Sequence, residues 1–144
     1  MKQLSLIEKA FFLKKVSLFE DLDLDMLVAI ADKMNQDIYD KNESVFEINH
    51  KAVRMYFIAQ GSVTLLDEQD NHITALKSTD FFGDEALFNE KERTYRAVCE
   101  AEALLLTLSR TNLITIITEC PSIAIALLSH YSLNRQCRCK KNEN

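Results

Sequence analysis

Apolar residues recur first at helical spacing along this chain, then at strand spacing, then at helical spacing again. From Leu4 to Val16 the residues Leu6, Ile7, Ala10, Phe11 and Leu13 return every three or four positions, which predicts an amphipathic helix. The segment SLFEDLD interrupts that pattern. Asp23 is then placed to cap a second helix over Leu24 to Met34, with Leu24, Leu27, Val28 and Ala31 on one face.

From Asp37 to Ser109 the period changes to two. The runs SVFEI, RMYFIA, SVTLLD, HITAL, TYRAV and ALLLTLS are short, rich in β-branched or aromatic residues, and separated by polar turns such as QG and EQDN. Several short strands at this spacing predict a small antiparallel β-roll or jelly roll, with Leu104, Leu106 and Leu108 on one face as its wall. After Ser109 the helical period returns. RTNLITIITEC reads as a helix closed by Pro121, which suits the first turn of a last helix over roughly Ser122 to Arg135.

The expected organisation is therefore a single α+β domain over 1–144. Helices occupy about 4–35, the β-roll 37–109 and C-terminal helices 110–137, followed by a short polar tail. Two glycines are few for so many turns. Turns that need positive φ must then fall to the next most tolerant residue, and Asn42 and Asn49 flank ESVFEI where such turns are expected.

Charge and composition narrow the function. A net charge of −5 argues against a nucleic-acid surface, and the one basic knot, RQCRCKK, reads as a solvated tail. No apolar run approaches the ~18 residues of a membrane span, so direct membrane insertion is not expected. The N-terminus lacks the apolar core and cleavage site of a signal peptide. Cys99, Cys120, Cys137 and Cys139 match neither a zinc knuckle nor a redox pair, and reduced thiols in a cytoplasmic setting are the expectation.

His50, His72 and His130 are far apart and lack metal-ligand spacing, which weakens a cupin-like enzyme reading and leaves no metal site predicted. There is no nucleophile elbow, Walker loop or Ser/Cys–His pairing, so the chain is expected to be non-enzymatic. Met26, Met34 and Met55 fall within apolar patterns and read as core.

One stretch stands apart: DFFGDEALFNEKERTYRAV, Asp80 to Val98. A glycine turn can bring backbone N–H groups close to an anion, and an arginine offers a planar fork that matches phosphate oxygens. The ordinary alternative for Arg93 is a surface ion pair with Asp84, Glu85 or Glu90, worth under ~1 kcal/mol. Alternation puts Arg93, Tyr95, Ala97 and Cys99 on one face, so Tyr95 points into the same interior as Arg93.

With this stretch the chain, over about 11–135, resembles the cyclic nucleotide-binding domain family. The likeness lies in FLKKVSLFEDLDLDMLVAIA, MYFIAQGSVTLLDEQDNHITAL, DFFGDEALFNEKER and EAEALLLTLSRTNL, and most of all in FG-x-x-AL followed by Arg at the family's spacing. The resemblance implies a phosphate-binding cassette between two strands, built from Phe82, Gly83, Asp84, Glu85, Ala86 and Leu87 with Arg93, Thr94 and Tyr95. In that reading Arg93 faces the cyclic phosphate, Asp84 accepts the ribose 2′-hydroxyl, and Thr94 is a second hydroxyl donor. The last helix becomes a lid over the base, with Leu128, Tyr131 and Arg135 as its candidate residues among the stripe Ala124, Leu127, Leu128 and Tyr131. The same stripe also suits core packing or a homodimer through the C-terminal helix.

The departures from the family pattern are specific. Asp84 stands where the family carries Glu and is roughly 1.5 Å shorter. Glu85 replaces an aliphatic residue, and Glu92 replaces the Pro before the arginine; either acid ~8 Å from a phosphate would cost about 0.5 to 2 kcal/mol. Thr94 and Tyr95 replace two small residues, and Tyr95 either fills the pocket or obstructs it. The cassette is degenerate.

The resemblance implies a non-enzymatic regulatory sensor for a cyclic purine nucleotide, cAMP in the first place and cGMP equally compatible with Thr94, with no cofactor. Ligand would reposition a hinge near Ser109 to Asn112 and move the last helix, acting on a protein effector or within a larger parent chain. The alternative is a ligand-free β-roll serving assembly or as a scaffold. A DNA-binding regulator is not expected, since no helix-turn-helix follows the last helix.

Overall fold

Two four-stranded antiparallel sheets face each other, and helices from both ends of the chain close over the outer face of one of them. The computed structural model describes residues 1–85 and 87–134. Ala86, Arg135 and the tail that carries Cys137 and Cys139 lie outside the described residues.

Helix α1 (Leu6–Lys14) begins at a capping box: Ser5 Oγ accepts the Glu8 N–H at 3.2 Å, and Glu8 accepts the Ser5 N–H at 2.9 Å. It buries Ala10, Phe12 and Leu13, whereas Phe11 is 56% exposed, so its inward face is rotated from the one predicted. A 3-10 turn at Ser17–Phe19 sets Leu18 and Phe19 into the core. Helix α2 (Leu24–Asp32) is capped by Asp23, whose Oδ1 accepts the Met26 N–H at 2.9 Å. Leu27, Ile30 and Ala31 are buried, Val28 is half-buried, and Leu24 remains exposed.

The first sheet runs β1-β8-β3-β6, from β1 (Asn35–Tyr39), β3 (Arg54–Gln60), β6 (Phe81–Phe82) and β8 (Ala103–Ser109). The second runs β2-β7-β4-β5, from β2 (Ser44–Phe46), β4 (Ser62–Leu66), β5 (His72–Lys77) and β7 (Arg96–Cys99). Strands β3 and β8 are buried on both faces, which is why their sequences are nearly continuous apolar runs. Met55, Phe57, Leu106 and Leu108 pack against the helices; Tyr56, Ile58, Ala103 and Leu105 pack between the sheets. Leu106 and Leu108 therefore face the helical layer, and the inner wall of the roll belongs to Ala103 and Leu105.

Helices α3 (Arg110–Glu119) and α4 (Pro121–Asn134) meet at Cys120 with a bend of 117°. Ser109 caps α3 by accepting the Asn112 N–H at 3.1 Å. Ile116, Ile123 and Leu127 join the helical core beside Phe19 and Phe57. Among the described residues no single helix is long and apolar enough to cross a membrane.

Both predicted asparagine turns have positive φ, 72° at Asn42 and 70° at Asn49. Thr79 does too, at 79°, a conformation that a β-branched residue adopts only under strain. Its N–H donates to Ile58 O at 3.0 Å, so the turn is fixed by the sheet rather than by the residue. Thr79→Gly should relieve that strain and raise stability by about 1 kcal/mol in urea unfolding. A lower midpoint would show that the threonine suits its turn.

Candidate functional site

The chain leaves β6 at Gly83 with φ 82°. Phe82 before it is fully buried, its ring stacked on Tyr56 at 5.2 Å and tilted against Phe46 at 6.0 Å. A Cβ at Gly83 would lie 3.0 Å from Arg93 Nη1 and 3.3 Å from Tyr56 Cδ1. Only glycine fits without moving the arginine.

Arg93 is 4% exposed. Its Nη1 donates to Gly83 O at 2.5 Å and its Nη2 to Arg54 O, while its Cζ lies 4.2 Å from the centre of the Phe46 ring. Backbone bonds hold it from the other side: Arg93 N–H donates to His50 O and Asn49 N–H donates to Arg93 O, both at 2.8 Å. Burial lowers the pKa of the guanidinium, yet a guanidinium stays charged in proteins, and charge-assisted bonds with an aromatic face offset its desolvation. Arg93 is thus a buried clamp and not a surface cation; Glu90 meets Arg110 instead, at 3.3 Å.

Beyond Gly83 the chain turns back, with Leu87 N–H donating to Asp84 O at 3.1 Å. Tyr95 reaches into this turn from the opposite side. Its hydroxyl accepts the Gly83 N–H at 2.9 Å and donates to the Glu85 carboxylate at 3.0 and 3.1 Å. Burial first, and the Glu85 carboxylate second, push the Tyr95 phenol well above the ordinary tyrosine range. Asp84 is 3% exposed, and its Oδ2 accepts a hydrogen bond from Tyr131 of α4 at 2.7 Å. The last helix is therefore hydrogen-bonded to the cassette itself.

The structure brings Phe82, Gly83, Asp84, Glu85, Arg93 and Tyr95 together. Leu87 is buried in the helical core, and Thr94 is exposed. Of the lid candidates, Tyr131 reaches the cassette, with its ring edge-on to Phe88 at 5.9 Å. Leu128 does not, being 66% exposed. The buried side of α4 follows Ile123, Leu127 and Tyr131, each four residues on, and Leu128 lies about 100° around the helix from Leu127.

Tyr56 against Gly83 and Phe88 against Tyr131 were not foreseen, and neither were Phe46 and the Arg54 carbonyl. Phe46 supplies the aromatic floor under Arg93, and its signal was there in the inward alternation of SVFEI. The Arg54 carbonyl is a backbone group and carries no side-chain signal. Among the described residues no group of three or more His, Cys, Asp or Glu could hold a metal ion.

A two-sheet roll flanked by helices, with a buried arginine clamped onto a glycine turn between two strands, defines a regulatory β-roll. The family model for the cyclic nucleotide-binding domain matches residues 36–120, and the chain belongs to that family. It is 31% identical over 118 residues to the cGMP-dependent protein kinase egl-4 of Caenorhabditis elegans, covering 78% of this chain and 15% of that one. The chain thus spans about 15% of the length of that kinase. The catabolite activator protein of Thermus thermophilus superposes with a TM-score of 0.77 at 25% identity, over 88% of this chain and 61% of that one. The regulatory domain of Toxoplasma gondii PKA, solved with cAMP, shares the fold with a TM-score of 0.74 at 18% identity, over 86% and 48% of the two chains.

The site and the roll beneath it hold several protonated groups. Burial raises the pKa of Tyr39, Tyr56 and Tyr95 above the ordinary 10, and raises Cys99 from 9 to about 11. The folded state thus binds these protons more tightly than the unfolded chain. Their contribution to stability is fully present below the unfolded values and is lost as pH climbs through the folded ones. Urea midpoints should hold steady from about pH 7 to 9, then fall, first as Cys99 enters its window and then above pH 10. Stability that rises above pH 9 would contradict this assignment.

Proposed function

We propose that this chain is a non-enzymatic sensor that binds a purine 3′,5′-cyclic nucleotide, cAMP or cGMP, and passes the event to its C-terminal helices. The observation that carries the reading is the buried Arg93 guanidinium at the Gly83 turn. A guanidinium has five N–H donors, and Gly83 O and Arg54 O take two of them; a cyclic phosphate at the turn is offered the rest. Asp84, at the start of the same turn, is the acceptor for the ribose 2′-hydroxyl.

Coupling follows from Tyr131. The carboxylate that reads the ribose also holds α4, so a ligand on Asp84 acts directly on the contact that places the last helix. A second tie, Glu90 to Arg110, joins the end of the cassette to the start of α3, beside the Ser109 cap. Nucleotide shifts the helices only by its preference for one of their positions. The receiver is a protein effector or a larger parent chain, consistent with relatives in which such a domain is a small part of a kinase.

A second reading, a ligand-free β-roll used for assembly, is favoured by one observation: the Gly83 N–H and the Asp84 carboxylate are already bonded within the chain. Calorimetry separates the two. With cAMP or cGMP the wild type should bind, AMP should bind more weakly, and Arg93→Lys, which keeps the charge and loses the fork, should weaken binding at least about tenfold. No binding of either cyclic nucleotide at millimolar concentration would leave the assembly reading.

Tyr131→Phe tests the tie between the cassette and the last helix. Losing a bond to a charged group should speed amide hydrogen exchange in α4 about ten- to hundredfold, measured without added nucleotide. Unchanged exchange would remove Tyr131 as the tie.

A further inference from the structure

Glu85 occupies a position that the binding scheme above does not use. Its carboxylate receives the Tyr95 hydroxyl, and that hydroxyl in turn receives the Gly83 N–H. The relay therefore runs from the Gly83 amide, through a phenol, to a carboxylate. An amide so aligned is polarised toward a negative charge that the chain itself supplies. Tyr95 has little freedom to leave, since its ring packs on Phe46 at 5.5 Å, the ring that also carries Arg93. One aromatic floor thus sets the positions of both the guanidinium and the phenol that hands Glu85 its bond.

We propose that Glu85, braced by Tyr95, is the affinity-setting residue of the phosphate subsite: a resident anion with which a ligand's phosphate must compete. The inference rests on reading the Gly83 turn as that subsite. Two successive hydrogen bonds separate the carboxylate from the Gly83 nitrogen, so it stands within about 6 Å of that amide. A phosphate seated at that turn would carry its charge about 6 to 8 Å from the carboxylate, and the repulsion weakens binding about two- to hundredfold, according to how well water screens it. Glu85 is exposed, which keeps the effect responsive to salt. A site tuned in this way answers only to high nucleotide concentrations, and a single substitution resets its threshold.

Glu85→Gln isolates the charge, because a glutamine oxygen still accepts the Tyr95 hydroxyl. Calorimetry on the full chain with cAMP and with cGMP should show Glu85→Gln binding at least about twofold more tightly than wild type at low ionic strength. The advantage should shrink as salt is raised to about 0.5 M, a dependence that a purely structural role for Glu85 would not produce. Binding by Glu85→Gln with none by wild type would support the proposal in its strongest form. If wild type binds and Arg93→Lys fails, while Glu85→Gln is equal to wild type or weaker, the proposal is overturned and the sensor reading stands. If neither wild type nor Glu85→Gln binds at millimolar nucleotide, the sensor reading falls and this inference falls with it.

Discussion

A buried guanidinium organises this protein. The Arg93 guanidinium lies under the surface, bonded to the carbonyls at the end of β6 and the start of β3, over an aromatic ring from β2. A buried charge is costly unless its donors are met, and breaking such an arrangement leaves the penalty behind. Gly83 must be glycine to let the guanidinium approach, Phe46 must face inward to lie beneath it, and the loop at Asn49 and His50 must hold its backbone. The site is built from the core rather than laid upon it, so changes at Arg93 will be felt in folding as well as in binding.

The second organising feature is that the cassette is tied to the last two helices. Tyr131 on Asp84 and Arg110 on Glu90 connect both ends of the turn to α4 and α3. The two ties are unequal. The Glu90–Arg110 pair is solvent-exposed and contributes little to stability, whereas Asp84 is buried and its bond to Tyr131 is charge-assisted. The connection between site and last helix therefore rests more on the Tyr131–Asp84 bond, backed by Phe88 edge-on to Tyr131 and Phe81 against His130, than on the exposed ion pair.

What could be read in the chain beforehand was whatever local chemistry decides. Asp23 as a cap, Asn42 and Asn49 as left-handed turn residues, and the alternation that points Arg93, Tyr95, Ala97 and Cys99 inward all depend on neighbours in sequence. The misses depend on partners far away. Phe12 rather than Phe11 is buried because the packing of α1 chose between two adjacent aromatics. Strand β1, with its polar sequence NQDIY, exists through five pairings with β8 and has little apolar pattern of its own. Leu106 and Leu108 face the helices because β8 is covered on both sides, and a period of two cannot say which side is the roll. At the site, alternation placed Tyr95 beside Arg93, but no local rule announces that its hydroxyl lies between Gly83 and Glu85, or that Tyr131 reaches Asp84 across 47 residues.

The central claim is that Arg93 is both the structural clamp and the ligand's phosphate partner. The most direct measurement is the nitrogen-15 spectrum of the arginine side chains in the full chain, recorded as cAMP is added. Before addition the Arg93 N–H signals should be protected from solvent exchange, as those of a buried guanidinium bonded to two carbonyls. During the titration they should shift in step with saturation, while the exposed Arg54 changes little. Arg93 signals that remain unmoved at a concentration where calorimetry shows cAMP bound would contradict the account.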